Sequence, residues 1–298
     1  MENDLRTLQL VELDMLKELL RVCSEHNLTV WGDGGTMLGA VRHKGFIPWD
    51  DDIDVVMPRH DYDILLRHGD EWFSHPYFLQ SAYSDPGYFR GHAQLRNDNT
   101  AAIRPSEAYR KFNQGIFIDI FVLDGCPDDP KELENLSQDT LHSLRLLKAV
   151  DLDVLYSGRL LQVFRKARMR RKVRKSGLIN LYKAIEDRLR QVDMDAVRNW
   201  AYITYSGNRL LFDRHLYDNT VWMDFEDIKV PLPAGYDRSL RILYGDDYMT
   251  PRHDPTEHGE MVVSVTRSWR EVAPEVCRQW RKGTLKRIIN KFAKKRKR

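Results

Sequence analysis

The chain has 298 residues, 42% of them hydrophobic and 31% charged, with a formal net charge of +3. That is enough apolar material for a large packed core and excludes a disordered chain. No apolar run approaches the ~20 residues of a spanning helix, and the start Met-Glu-Asn-Asp-Leu-Arg lacks the basic end and apolar centre of a signal peptide. Cys23, Cys126 and Cys277 are odd in number and widely spaced. They are expected to be reduced cytosolic thiols, with neither a disulfide framework nor a zinc site.

Leu5, Leu8, Val11, Met15, Leu19 and Val22 recur at three- and four-residue spacing, which predicts an amphipathic helix over 4–25. A short strand, Leu28 to Trp31, runs into the turn Gly32-Asp33-Gly34-Gly35, on which Thr36 to Arg42 opens a second helix. Ile53 to Met57 is a strand, apolar apart from Asp54, and Pro58 ends it. Asp61 to Phe73 returns as a helix, and Phe78 to Ala82 is a further strand candidate. In the stretch 91–96, strand alternation places His92, Gln94 and Arg96 on one face and Ala93 and Leu95 on the other. Ile116 to Val122 is a strong strand with Asp119 as its only charge. Residues 131–205 read as mostly helical, and beyond 210 come short strands, Pro231-Leu232-Pro233, a short helix over 237–244 and a Gly-Asp-Asp turn. The expected organisation is a core over 1–130, a helical lobe over 131–205, a return to the core over 206–280 and a basic tail over 281–298.

The chemistry gathers between residues 31 and 57. Along a strand, Asp52 and Asp54 point to one side with Ile53 packing behind, leaving Asp50 and Asp51 to shape the loop. Mg²⁺ (or Mn²⁺) favours hard oxygen ligands, one or two carboxylates plus substrate phosphates. A third carboxylate on a neighbouring strand would complete a one- or two-metal site, and Asp119 fits that role. The alternatives are a solvated acidic loop for Asp50 to Asp54 and a core salt bridge for Asp119. Gly34, Gly35 and Thr36, at a strand-to-helix junction, offer backbone N–H groups to a phosphate. Asp33 reads as an N-cap. Arg42 and Lys44, ahead of a mostly neutral His43, clamp a diphosphate or else form an exposed basic loop. Gln94 and Arg96, with His92, are candidates for the same cleft, or ordinary solvent-facing polar groups. Asp246, Asp247, His253 and His258 lack a convincing metal spacing.

The basic residues are concentrated. Eight lie in 165–175 and ten in 281–298, with no acid in either run, so the remaining body is acidic. Leu285, Ile288, Ile289 and Phe292 form one stripe among those cations, which predicts an amphipathic helix lying on an anionic bilayer. The alternative is a solvated tail or a nucleic-acid contact. Few aromatic residues interleave the cations, so no nucleic acid is expected.

The run Gly-Gly-Thr-Met-Leu-Gly-Ala-Val-Arg-His-Lys-Gly-Phe-Ile-Pro-Trp-Asp-Asp-Asp-Ile-Asp (34–54) closely resembles the signature of the LicD family, phosphotransferases of the nucleotidyltransferase-like superfamily to which fukutin-related proteins also belong. Asn113 to Asp124 resembles its central strand, and Phe225-Glu226, Pro231, Tyr236, Leu240 and Tyr244-Gly245-Asp246 its C-terminal block, so the resemblance spans roughly 20–252. It implies an α/β fold with a nucleotidyltransferase-like mixed sheet and flanking helices, to which residues 131–205 add a helical lobe. It also implies transfer of phosphocholine or another phospho-alcohol from a CDP-linked donor to a glycan hydroxyl. The superfamily pattern of glycine turn, Asp-x-Asp pair and third carboxylate falls on Gly34-Gly35, Asp52 with Asp54, and Asp119. The expected reading is a CDP-alcohol-dependent enzyme, cytoplasmic and peripheral at the inner face of the plasma membrane. Its acceptor is a lipid-linked cell-surface or teichoic-acid-type glycan precursor. Asp119 shares a metal and assists deprotonation of the acceptor. Trp31, Trp49, Tyr83, Tyr88 and Trp222 are candidates for an aromatic cage around choline. The competing expectations are transfer of NMP from an NTP with release of pyrophosphate, and a degenerate binding module.

Overall fold

The computed structural model describes residues 2–150, 177–252 and 261–295. The first helix, α1 (Glu2–Glu25), buries Leu8, Met15, Leu16, Leu19 and Val22 in the main core. Their spacing is the one read from the sequence, and it places one apolar stripe against the sheet. Next come β1 (Trp31–Gly32), α2 (Gly34–His43), β2 (Asp54–Pro58), α3 (Arg59–Trp72), β3 (Tyr77–Gln80), β4 (Ala93–Asn97), β5 (Ala101–Ile103) and β6 (Ile116–Cys126). The central sheet runs β1-β2-β6-β4-β3. Among the described strands only β2 and β6 pair in parallel; every other pairing is antiparallel. The fold is therefore α/β with a mixed sheet.

All eleven residues of β6 are buried, because helices or loops cover both faces of the strand. Its far end extends the sheet through β7 (Asn199–Ala201) to β8 (Leu211–Asp213). Residues 199–201 thus form a strand inside a segment that reads as mostly helical in the sequence. The helices of that segment are α4 (Pro130–Val150) and α5 (Leu178–Leu189), which share a second core of Leu133, Leu136, Leu144, Leu147, Ile185 and Leu189. The basic run 165–175 lies outside the described residues.

A buried arginine ties this lobe to the sheet. Arg59, at the start of α3, donates to both oxygens of Asp124 on β6, at 2.7 and 3.0 Å, and to Glu186 of α5 at 3.3 Å. Asp124 is fully buried, and the bidentate pairing answers its charge.

The chain then returns to the first core. A 3₁₀ turn (Arg214–Tyr217) leads into the hairpin β9 (Thr220–Phe225) and β10 (Ile228–Pro233), followed by α6 (Tyr236–Tyr244). Phe225, Val230, Leu232 and Leu240 join the same apolar cluster as α1 and β2. Finally β11 (Val262–Ser264) pairs with β5, and α7 (Trp269–Lys295) packs Val272, Ala273 and Val276 on Ala101 and Ile103. Helix α7 runs into the basic tail, but the side chains carrying its predicted amphipathic stripe lie outside the described residues.

Candidate active site

The site forms where β1 turns into α2 beside the start of the parallel β2–β6 pair. Asp54 and Asp119 are register partners across that pair, so two carboxylates are held side by side by backbone geometry alone. The Asp119 amide donates to the carbonyl of Ile53 at 2.9 Å, which fixes the approach of the preceding acidic loop.

β2 pairing begins at Asp54, and Asp52 lies ahead of it. Strand alternation therefore does not govern Asp52, and the loop is free to turn its neighbours inward as well. One carboxylate oxygen from each of Asp50, Asp51 and Asp52 lies within 4.8 Å of the others. Opposite oxygens around an octahedral Mg²⁺ are about 4.2 Å apart, so the trio is spaced for a hard divalent cation. Asp50 and Asp51, which alternation leaves as loop-shaping residues, belong to the carboxylate group. The signal for them is the Asp-Asp-Asp run itself, and a two-residue period hides it only if the strand reaches back through the run.

Burial, then Asp52, Asp119, Asp33 and Asp50, push the Asp54 carboxyl well above its usual range. Such crowding is repulsive until a cation enters, and the donor set is all oxygen, which suits Mg²⁺ or Mn²⁺. Asp119 behaves oppositely. Burial pushes it up, but His92, Arg90 and a hydrogen bond from Gln94 hold it well below the carboxylate range. Gln94 Nε2 donates to Asp119 Oδ1 at 2.6 Å, while His92 Nε2 sits 3.0 Å from the same oxygen but out of line for a hydrogen bond. Asp119 is thereby kept ionised, a state that suits cation ligation and makes it a weak acceptor of a proton.

The glycines are required by close approach. Gly34 has φ +49°, and a Cβ there would stand 2.9 Å from Asp54 Oδ2; a Cβ on Gly35 would collide with Asp50 Oδ2. Backbone and carboxylates thus meet with no room for a side chain. Thr36 is buried, and its Oγ1 accepts from the Asp54 amide at 2.9 Å, locking the helix start to the strand start. Asp33 precedes the helix, but its side chain makes no cap bond and instead accepts from the Tyr202 hydroxyl at 2.8 Å.

The predicted cations fall in different places. Lys44 is exposed at the C-terminal end of α2 in the left-handed conformation, with φ +59°. Arg42 is half-buried and donates to the carbonyls of Tyr248 at 2.7 Å and, at the limit, Thr250 at 3.5 Å. It anchors the turn after α6. Arg96 is buried over the Phe117 ring and donates to Gln80, the Gly115 carbonyl and Gln94. Arg96 and Gln94 thus form a relay behind Asp119. Alternation groups His92, Gln94 and Arg96 correctly, but their face is buried, not solvent-facing.

Two residues that sequence spacing could not reach complete the surroundings. The Tyr244 hydroxyl, from the end of α6, lies 3.7 Å from the Cβ position of Gly34. Burial, then Asp54, Asp33, Asp50 and Asp52, raise that phenol above its usual range. Glu12, from α1, is 2% exposed, and burial, then Asp52, Asp51, Asp50 and Asp119, push its carboxyl well up.

The expected aromatic cage does not assemble. Trp31 packs on Tyr217, Trp49 on His43, Tyr83 on Tyr182 and Tyr88 on Phe112, while Trp222 is exposed on β9. Rings do gather beside Asp119. Phe121, two residues further along β6, is 4.7 Å from His92 and 4.9 Å from the exposed ring of Tyr205. His253 and His258 lie outside the described residues.

Residues 27–123, which hold the glycine turn, the acidic loop and Asp119, match the family described as LicD/FKTN/FKRP, nucleotidyltransferase domain. Over that stretch, about a third of its length, the chain is similar to the LicD family. It is 37% identical over 130 residues to the lipopolysaccharide cholinephosphotransferase LicD of Haemophilus influenzae. That stretch is 43% of this chain and 47% of the relative, so the likeness spans about half of that protein. Shorter matches, 40% identical over 53 and 47 residues, join it to uncharacterised proteins of Rickettsia prowazekii and Rickettsia typhi. They cover 20% and 15% of those proteins. The LicD domain match ends at residue 123, yet the later block returns to the same site through Tyr244 and through Leu232, which closes on Gly32.

Proposed function

We propose that this chain transfers a phospho-alcohol, phosphocholine in the first place, from a CDP-activated donor to a sugar hydroxyl of a cell-surface or teichoic-acid-type glycan precursor. The observation that carries the reading is the placing of Asp54 and Asp50 against the Gly34–Gly35 turn, with Asp51 and Asp52 grouped on Asp50 and Asp119 paired with Asp54, within the stretch that matches the LicD domain. The likeness to a lipopolysaccharide cholinephosphotransferase supports choline as the alcohol and a glycan as the acceptor.

In the transfer, the acceptor hydroxyl oxygen bonds to the choline-bearing phosphorus and its proton passes to solvent. The bond from that phosphorus to the bridging oxygen breaks, and CMP departs with that oxygen. Asp52, Asp54 and Asp119, with Asp50 and Asp51 beside them, would hold Mg²⁺ or Mn²⁺. The metal would supply charge neutralisation on the diphosphate. Thr36 holds Asp54 by accepting from its backbone amide, and Gln94, itself held by Arg96, donates to the Asp119 carboxylate. The α2 N-terminus, opened by Gly34 and Gly35, offers backbone N–H groups to a phosphate. Lys44 is the exposed cation nearest in sequence for the departing CMP. Tyr205, exposed beside Phe121, offers a ring face to a quaternary ammonium near Asp119. The basic segments would carry the protein to an anionic membrane face where lipid-linked acceptors are built.

The test is incubation with CDP-choline, CDP-glycerol and CDP-ribitol, each with Mg²⁺ and a glycan acceptor, followed by nucleotide analysis. CMP release with CDP-choline in excess over the others is the expected outcome. The domain's description as a nucleotidyltransferase favours one second reading, NMP transfer. Pyrophosphate release from CTP or ATP, with CDP-alcohols untouched, would replace the proposed function with that one.

A further inference from the structure

Glu12 is placed where packing alone gives it no purpose. It sits on the sheet-facing side of α1, 2% exposed, and its Oε2 has no hydrogen-bond partner. A buried carboxylate oxygen without a donor is costly, and the surrounding helix face is largely apolar. The charges nearest in effect are all negative: Asp52, Asp51, Asp50 and Asp119. One turn earlier, Gln9 donates Nε2 to the Asp50 carbonyl at 2.9 Å, so α1 is pinned to the acidic loop at this level. A single cation between loop and helix would answer the negative charge that converges here from both sides.

We propose that Glu12 is a further oxygen ligand of the cation site, reaching it from α1 through Oε2. The inference rests on the metal-dependent reading above and deepens it. It makes α1, which lies ahead of the LicD-matching stretch, a wall of the site. It divides the oxygen donors between a strand pair (Asp54, Asp119) and a loop–helix group (Asp50 to Asp52, Glu12), an arrangement with places for two cations.

The experiment is Mn²⁺ titration of the full chain by calorimetry, without substrate, comparing wild type with Glu12→Gln, which keeps shape and removes charge. The expected result is a loss of about tenfold or more in Mn²⁺ affinity, or of one of two binding events, with circular dichroism unchanged and melting without metal no lower than wild type. Wild-type affinity in a folded Glu12→Gln variant overturns the role of Glu12 and leaves the metal site standing. Absence of Mn²⁺ binding to the wild type overturns both. Should the variant misfold, a Mn²⁺-soaked crystal of the wild type decides. An anomalous peak within about 2.3 Å of Glu12 Oε2 supports the proposal. A peak held by the aspartates with Glu12 outside ligand distance rejects it.

Discussion

Asp33 illustrates what a single carboxylate does when its neighbours, not its own capping role, set its state. Burial pushes it up to about 6, against the hydrogen bond from Tyr202 that favours its charge. A carboxyl whose folded pKa lies above its unfolded value supports the native state below the unfolded value. That support is lost as pH climbs to about 6. Asp33→Asn should therefore be more stable than wild type at pH 7 by up to ~3 kcal/mol, with no gain near pH 3.5. Urea unfolding at pH 3.5, 5 and 7 measures the difference, and a gain that does not change with pH would contradict it. At this scale Asp54 and Asp119 are legible in the sequence, because a lone charge in an apolar strand is costly to bury unless a partner or a cation meets it. Asp50 and Asp51 are not, since the point where β2 pairing starts is set by β6, far along the chain. Glu12 is invisible, and Tyr244 is marked only by the family-like block, because nothing in their local spacing says which remote loop they will face.

Elements in this fold are joined by polar bonds that hydrophobic periodicity does not announce. Apart from β5, the order of helices and strands through residue 126 follows from spacing, glycine turns and proline stops, and the structure shifts most boundaries only slightly. What spacing could not give is the extension of β6 to Cys126 and its pairing with β7, which draws 199–201 out of a helical segment. Arg59 is the joint between these parts, binding α3, β6 and α5 through Asp124 and Glu186. Arg59→Met would leave the fully buried Asp124 carboxylate unanswered, while Glu186 keeps Arg190 and Tyr83, at a cost of about 3–5 kcal/mol. Thermal and urea unfolding should show that loss, and a variant as stable as wild type would mean the joint is held by apolar packing alone. The Gln94–Arg96 relay is the same device nearer the site: a strand pair supplies the register, and a buried side chain sets the orientation of Asp119.

The whole molecule is an acidic body with strongly basic segments, and its site is built from parts far apart in sequence: the matched domain, α1 before it and α6 after it. Among the described residues no helix is long and apolar enough to cross a membrane. The basic tail is the proposed means of approach to a lipid-linked acceptor. Removing 284–298 should weaken co-sedimentation with vesicles containing phosphatidylglycerol severalfold and spare transfer to a soluble acceptor. Equal sedimentation of the two forms would reject the membrane role without touching the chemistry. The central claim is that the carboxylates around the Gly34–Gly35 turn form a metal-dependent transfer site, and Asp54 is at their centre. The measurement is CMP release from CDP-choline with a glycan acceptor, in wild type and Asp54→Asn, with Mg²⁺ and with the metal chelated. Metal-dependent turnover in wild type, lowered roughly a thousandfold or more in a folded Asp54→Asn protein, is the predicted result. Undiminished turnover in Asp54→Asn, or in wild type stripped of metal, would contradict the account.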